Sequence, residues 1–143
     1  INEANILDLF AGVGSFGLEC LSRGAKKVIF IENYKEVLLI LKENLNNLKN
    51  IKNFKIIEKN AYHKNIFSNI EDNFDIIFLD PPYKDQNFNK ILENIYTRKI
   101  LNKNGIIILH RHANSKDDFP KEFQIIETKK YGVSRVFFLT CLN

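Results

Sequence analysis

A three-layer α/β/α sandwich with five parallel strands and an antiparallel C-terminal pair is predicted by two features of the sequence. Apolar runs of strand length alternate with stretches of helical period as far as Leu109, and beyond that two β-rich runs follow each other across a short link. A glycine-rich turn after the first run belongs to folds that bind ligands beyond the carboxyl ends of parallel strands. The 143 residues fit one domain, 1–143, long enough to bury roughly 68–70% of the unfolded surface. With 45% hydrophobic and 27% charged residues, disorder and collagen-like structure are excluded.

The first strand is expected over residues 5–10 (NILDLF), followed by Ala11-Gly12-Val13-Gly14 and a helix over 15–23 that Gly24 caps. A second buried strand covers 28–32. Tyr34, Val37, Leu38, Leu41, Leu45 and Leu48 then recur every three or four residues, the apolar face of a long helix. Residues 54–58 form a third strand, and the polar stretch 60–73 holds at most a short helix around Ile66-Phe67. The fourth strand, 75–80, ends at Pro81-Pro82 because proline donates nothing to a ladder. A helix over 87–101 uses Phe88, Ile91, Leu92, Ile95 and Ile100, and a fifth strand covers 105–110. Residues 123–130 and 134–142 are separated only by Tyr131-Gly132-Val133, which permits only an antiparallel pair.

The net charge of +4 and pI near 9.0 permit an anionic partner without demanding one. Lysine supplies 17 of the 21 cations in a chain also rich in Asn and Ile, which points to codon bias more than to phosphate binding. Lys49, Lys52, Lys55, Lys59 and Lys64 accordingly read as a solvated face before an RNA track. Cys20 and Cys141 form no C-x-x-C pair and are expected as reduced, buried thiols. No apolar stretch approaches the ~18–20 residues that span a bilayer, and the first residues lack a secretory layout, so a soluble, cytoplasmic, monomeric protein is expected. The absence of methionine suggests a chain trimmed from a longer one.

Gly12-Val13-Gly14-Ser15-Phe16-Gly17 is a G-x-G-x-x-G between strand and helix, and Glu32 ends the next strand, the pattern of a dinucleotide site. A nicotinamide or flavin enzyme is one reading, and a tight turn that binds nothing is another. Asp8, however, sits beside the glycine loop, where a carboxylate repels pyrophosphate. It suits a ligand carrying sulfonium and ammonium groups, such as S-adenosylmethionine, whose ribose hydroxyls Glu32 could accept.

Asp80-Pro81-Pro82-Tyr83 lies at the end of the fourth strand. Methylating an exocyclic base nitrogen is hard because its lone pair is delocalised into the ring. Acceptors for the amine protons localise that pair: the Asp80 carboxylate and the Pro81 carbonyl offer them, and Tyr83 offers a face on which a flipped-out base can stack. A strand-ending turn is the alternative reading. His110-Arg111-His112 lacks the Cys or acid that would complete a tetrahedral set, so no metal is expected, and Arg111 is read as a possible phosphate contact. Tyr131 either faces substrate or packs on the sheet.

The runs Ile6 to Glu19, Ser22-Arg23-Gly24-Ala25, Glu32, Lys42-Glu43-Asn44-Leu45, Phe78 to Tyr83 and Tyr131-Gly132 resemble, in order and over essentially the whole chain, the RsmD-type 16S ribosomal RNA guanine-N2 methyltransferases. The resemblance implies a Rossmann-like class I methyltransferase fold of strand order 3-2-1-4-5-7-6. It implies a cofactor site of Asp8, Phe10, Ala11, Gly12, Gly14, Glu32, Asn33, Asn60 and Ala61, and a catalytic loop of Asp80, Pro81, Pro82 and Tyr83. S-adenosylmethionine is the implied cofactor, and ribosomal RNA or the small subunit the implied partner. Two departures stand out. Asn60-Ala61 replaces an acid the family usually places near the adenine, and the family's N-terminal extension does not precede the first strand here. Action on another exocyclic amine, such as adenine N6, and a non-catalytic module that kept the fold remain alternatives.

Overall fold

Strands that bury both faces need apolar residues at nearly every position, which is why β1 (Asn5–Leu9) and β2 (Lys27–Ile31) read as hydrophobic runs, interrupted after their first residues only by Asp8. In the computed structural model, which describes residues 1–142, they are followed by β3 (Phe54–Ile57), β4 (Phe74–Leu79), β5 (Leu101–His112), β6 (Phe123–Tyr131) and β7 (Ser134–Cys141). Helix α1 (Ser15–Ser22) joins β1 to β2, α2 (Lys35–Asn46) joins β2 to β3 and α3 (Phe88–Arg98) joins β4 to β5, while β3 reaches β4 through turns. One seven-stranded sheet results, ordered β3-β2-β1-β4-β5-β7-β6, as expected. The first five strands run parallel and β7 lies antiparallel between β5 and β6.

Alternation along the strands sends residues to two cores. On one face Ile6, Val28 and Phe30 pack with Cys20 and Leu21 of α1 and with Leu38, Leu41 and Leu45 of α2. On the other, Leu7, Leu9, Ile29, Ile31, Ile77, Leu79, Ile107 and Leu109 meet Phe88, Ile91, Leu92 and Ile95, the i, i+3, i+4, i+7 stripe of α3. The first face is covered unevenly. Ile76, Phe78, Ile106, Ile108, Val136 and Phe138 remain only partly buried, with Phe16 of α1 stacked on Phe78 at 4.2 Å between centroids.

Cys20 is buried as expected, whereas Cys141, at the end of β7, is only half-buried. Four further local expectations shift. Residues 60–70 form successive i to i−3 turns instead of a short helix, yet they still deliver Ile66 and Phe67 to the second core. Tyr34 and Leu48 flank α2 without joining its buried stripe, and Tyr34 is exposed. Helix α3 stops at Arg98, because Lys99 takes a left-handed turn (φ 52°) and Leu101 already pairs with Phe74. β5 therefore starts four residues early, at the cost of a register shift between Phe74 and Ile76. At the sheet's edge β6 is exposed along nearly its whole length, where Lys129, Lys130 and a register shift between Ile125 and Glu127 oppose pairing with another chain.

Helix α1 reaches the sheet only because residue 17 has no side chain. A Cβ on Gly17 would stand 2.2 Å from the Phe30 ring and 3.0 Å from Val28. Gly17→Ala is expected to lower unfolding free energy by about 1–3 kcal/mol, the scale of an overpacked core. Urea denaturation checks this, and an unchanged midpoint would show that α1 can lift off the sheet freely.

Candidate active site

At the end of β1 the chain turns sharply through left-handed residues: Phe10 (φ 60°), Gly12 (φ 59°) and Gly14 (φ 91°), which precedes α1. A Cβ at Gly12 would meet nothing within 4 Å, so its outer side is open to a ligand. From the end of β2, Glu32 holds this turn. Its Oε1 accepts the Gly12 N–H at 2.9 Å, and Oε2 accepts those of Asn33 (2.9 Å) and Tyr34 (3.0 Å). The expected ribose acceptor is thus also a structural knot between two strand ends, with one of its roughly four acceptor positions left. Asn44 of α2 completes the turn by donating to the Val13 carbonyl at 2.9 Å.

Asp8 lies beneath the turn, 1% exposed. Its Oδ2 accepts the Gly17 N–H at 3.2 Å, while Oδ1 is buried without a hydrogen-bond partner. Burial pushes its pKa up to about 7. The Gly17 hydrogen bond opposes the shift, and the charges of Asp80 and Glu32 add to it. Three carboxylates from the ends of β1, β2 and β4 therefore share one electrostatic neighbourhood. Among the described residues no Lys or Arg side chain pairs with any of the three, and a pyrophosphate there would meet like charge.

Asn60 and Ala61 follow β3. Asn60 Oδ1 accepts the Tyr62 N–H at 2.9 Å, closing its own turn, and Ala61 is buried. The Tyr62 ring tilts against Phe10 at 5.4 Å, and its hydroxyl donates to Asp85 Oδ2; burial first, then that carboxylate, pushes the phenol pKa upward. Tyr62 thereby ties the β3 turn to the segment after Asp80-Pro81-Pro82-Tyr83.

Asp80 is exposed, and its Oδ1 lies 2.9 Å from His110 Nδ1. Pro81 is buried and Pro82 is exposed. Tyr83, 56% exposed, tilts on the His112 ring at 4.5 Å, while His112 Nδ1 accepts the Asn114 N–H. The two histidines thus have separate partners. A groove of about 230 Å³ runs between Asp80, Tyr83, His110, His112 and Val133 of the β6–β7 turn. Tyr131, at the end of β6, is 59% exposed.

Arg111 does not face a phosphate. Its guanidinium is fully buried over the Phe88 ring (4.6 Å), with Nε and Nη2 on the two oxygens of an equally buried Asp117 at 3.1 and 3.2 Å. It also donates to the carbonyls of Pro82 (3.4 Å) and Asp85 (3.0 Å), so it pins the loop after Asp80 from below. Sequence reading passed over Tyr62, Asp85 and Asp117. It set His110 aside, although the strand register Leu79↔Leu109 places the next residues, Asp80 and His110, side by side.

The family model described as Conserved hypothetical protein 95 matches residues 1–140. The chain is 30% identical to ribosomal RNA small subunit methyltransferase D of Buchnera aphidicola (subsp. Acyrthosiphon pisum) over 99% of its own length and 73% of that protein's. It is 31% identical to the protein of that name from Haemophilus influenzae, over 93% and 69%. A crystal structure from Haemophilus influenzae, described as a methylase, superposes with a TM-score of 0.86 at 29% identity and covers 100% of this chain and 89% of that one. A chain of 16% identity that shares the fold (TM-score 0.79, covering 96% and 45%) was solved in complex with S-adenosylhomocysteine.

Two outcomes test this geometry. Since the Asp8 pKa lies above its ordinary 3.8, the folded state holds that proton more tightly than the unfolded one. The resulting stability is complete below about pH 4 and is lost as pH rises through 7. Between pH 5 and 8 the wild type should lose on the order of 2 kcal/mol that Asp8→Asn does not lose. Parallel losses by the two proteins in pH-dependent denaturation would mean an ionised Asp8. Arg111→Met leaves the Asp117 carboxylate buried without its cation, held only by the Ser115 hydroxyl (2.6 Å), and should cost about 3–5 kcal/mol, with partial recovery in Arg111→Met/Asp117→Leu. A single variant as stable as wild type would show that Asp117 reaches solvent.

Proposed function

The chain belongs to the family of ribosomal RNA small subunit methyltransferase D, and from that premise we propose that it transfers the methyl group of S-adenosylmethionine to the exocyclic N2 amine of a guanine in 16S ribosomal RNA. Residues 1–143 act as one methyltransferase domain, monomeric and cytoplasmic, on ribosomal RNA or the assembled small subunit. No described helix is long and apolar enough to cross a membrane.

The observation that carries the proposal is the buried, unpartnered Oδ1 of Asp8 in the combined field of Glu32 and Asp80. The residues fit the cofactor. Asp8, with the turn of Phe10, Ala11, Gly12 and Gly14, would hold its cationic amino-acid part. Glu32 and Asn33 would take the ribose, and Asn60 and Ala61 would border the adenine. When bound, S-adenosylmethionine supplies an electrophilic methyl on a sulfonium. The same carboxylates oppose NAD(P), whose pyrophosphate would meet no compensating cation.

Asp80 accepts a hydrogen bond from the target amine, and the Pro81 carbonyl serves as second acceptor. These bonds turn the nitrogen lone pair out of the ring plane toward the methyl group. Tyr83 supports the extruded base, and the Val133 side of the groove closes over it. On gaining the methyl group the nitrogen would become cationic, and its proton would then pass readily to water. Asp80 therefore has no need to deprotonate a neutral amine first.

The test is methyl-labelled transfer to naked 16S RNA and to small subunits, followed by mapping of the labelled base. Label on a guanine N2 is expected; label on an adenine would replace the target while preserving the chemistry. Asp80→Ala should lower turnover about 100-fold or more, the scale of a lost preorganised partner, while S-adenosylhomocysteine affinity holds. Normal turnover by this variant would reduce the loop to a strand-ending turn. Calorimetric binding of NAD in preference to S-adenosylhomocysteine would favour a dinucleotide enzyme.

A further inference from the structure

A carboxylate that is partly open to water rotates broadly about its terminal torsion, so an acceptor of fixed direction needs a tether. Asp80 has one. Its side chain is 45% exposed and that of His110 37%, and Nδ1 of the ring lies 2.9 Å from Oδ1. A carboxylate only accepts hydrogen bonds, so the nitrogen facing it carries the hydrogen: Nδ1–H donates and Nε2 points elsewhere. The other imidazole on this strand, His112, spends its Nδ1 on the Asn114 N–H and its face on Tyr83. The guanidinium between them in sequence is consumed below the sheet by Asp117. Among the described residues, His110 is thus the side chain that donates to Asp80.

We propose that His110 is the positioning residue of the methyl-transfer site: by holding Oδ1 of Asp80 it presents Oδ2 to the amine of the extruded base. This rests on the reading of Asp80 as the amine's acceptor. The ring gains nothing covalent and takes no proton. It removes the rotational freedom that would otherwise be lost on reaching the transition state.

The position of the ring hydrogen is read by two-bond nitrogen–proton NMR of histidine-labelled protein without substrate. The Nδ1–H tautomer is expected in the wild type and should be lost in Asp80→Ala; an Nε2–H tautomer in the wild type, or spectra that ignore Asp80→Ala, would overturn the proposal. In turnover, His110→Ala should lower kcat about 10-fold or more with little change in KM for either substrate. His110→Asn, whose amide N–H can stand where Nδ1–H stood, should recover most of that loss. In the Asp80→Ala background, removing His110 should cost nothing further. Full activity of His110→Ala, or losses that add independently of Asp80, would overturn the assignment. If the wild type methylates no ribosomal RNA, the proposed substrate fails, and the ring-nitrogen spectra alone decide the role of His110.

Discussion

Everything at the candidate site depends on one electrostatic constraint: carboxylates from three adjacent strand ends are held in one neighbourhood and, among the described residues, none of them is paired to a Lys or Arg. Asp8 is buried, Glu32 is bound to three backbone N–H groups, and Asp80 is tethered to an imidazole. Bringing Asp8 there costs free energy, visible as a carboxyl whose proton is retained up to about pH 7. The parallel register of β2, β1 and β4 imposes that placement, and hydrophobic burial on both faces of the sheet supports it. The cost falls where Asp8 Oδ1 lies buried without a hydrogen-bond partner, so the fold carries it at the site rather than in the core below.

The site divides into a rigid base and an open top. Beneath it, Arg111 and Asp117 are fully enclosed and Arg111 holds two carbonyls of the loop, while Tyr62 anchors the same loop through Asp85. Above it, Asp80, Tyr83 and Val133 stand in solvent. The division separates rigid support from accessible side chains: buried charge and aromatic contacts fix the loop, and the aromatic and carboxylate groups above it stay open to solvent. Burying the guanidinium is tolerable because both carboxylate oxygens, two carbonyls and an aromatic face satisfy it at once.

Local patterns determined most of the architecture. The β1 and β2 runs, the α2 and α3 stripes, the G-x-G-x-x-G turn and the Asp-Pro-Pro-Tyr strand end are legible because each follows from residues within one or two turns of each other: periodicity, the missing Cβ of glycine and the missing N–H of proline. What those motifs hold was not local. Arg111 looks like a phosphate contact in a row reading His-Arg-His, and alternation along β5 indeed puts it on the opposite face from its neighbours. Only the packing of α3 and the 113–122 loop beneath that face turned it into a buried anchor. Glu32 reads as a free ligand until the sharp turn at Phe10 brings the Gly12 N–H to it. The pairing of His110 with Asp80 depends on the β4–β5 register across thirty residues, and that register passes through a shift that no pattern within either strand announces. Sequence by itself thus determined the elements and the residue types of the site, because those are properties of short segments. Partners, burial and charge state were decided by the tertiary structure, because each depends on the meeting of distant segments.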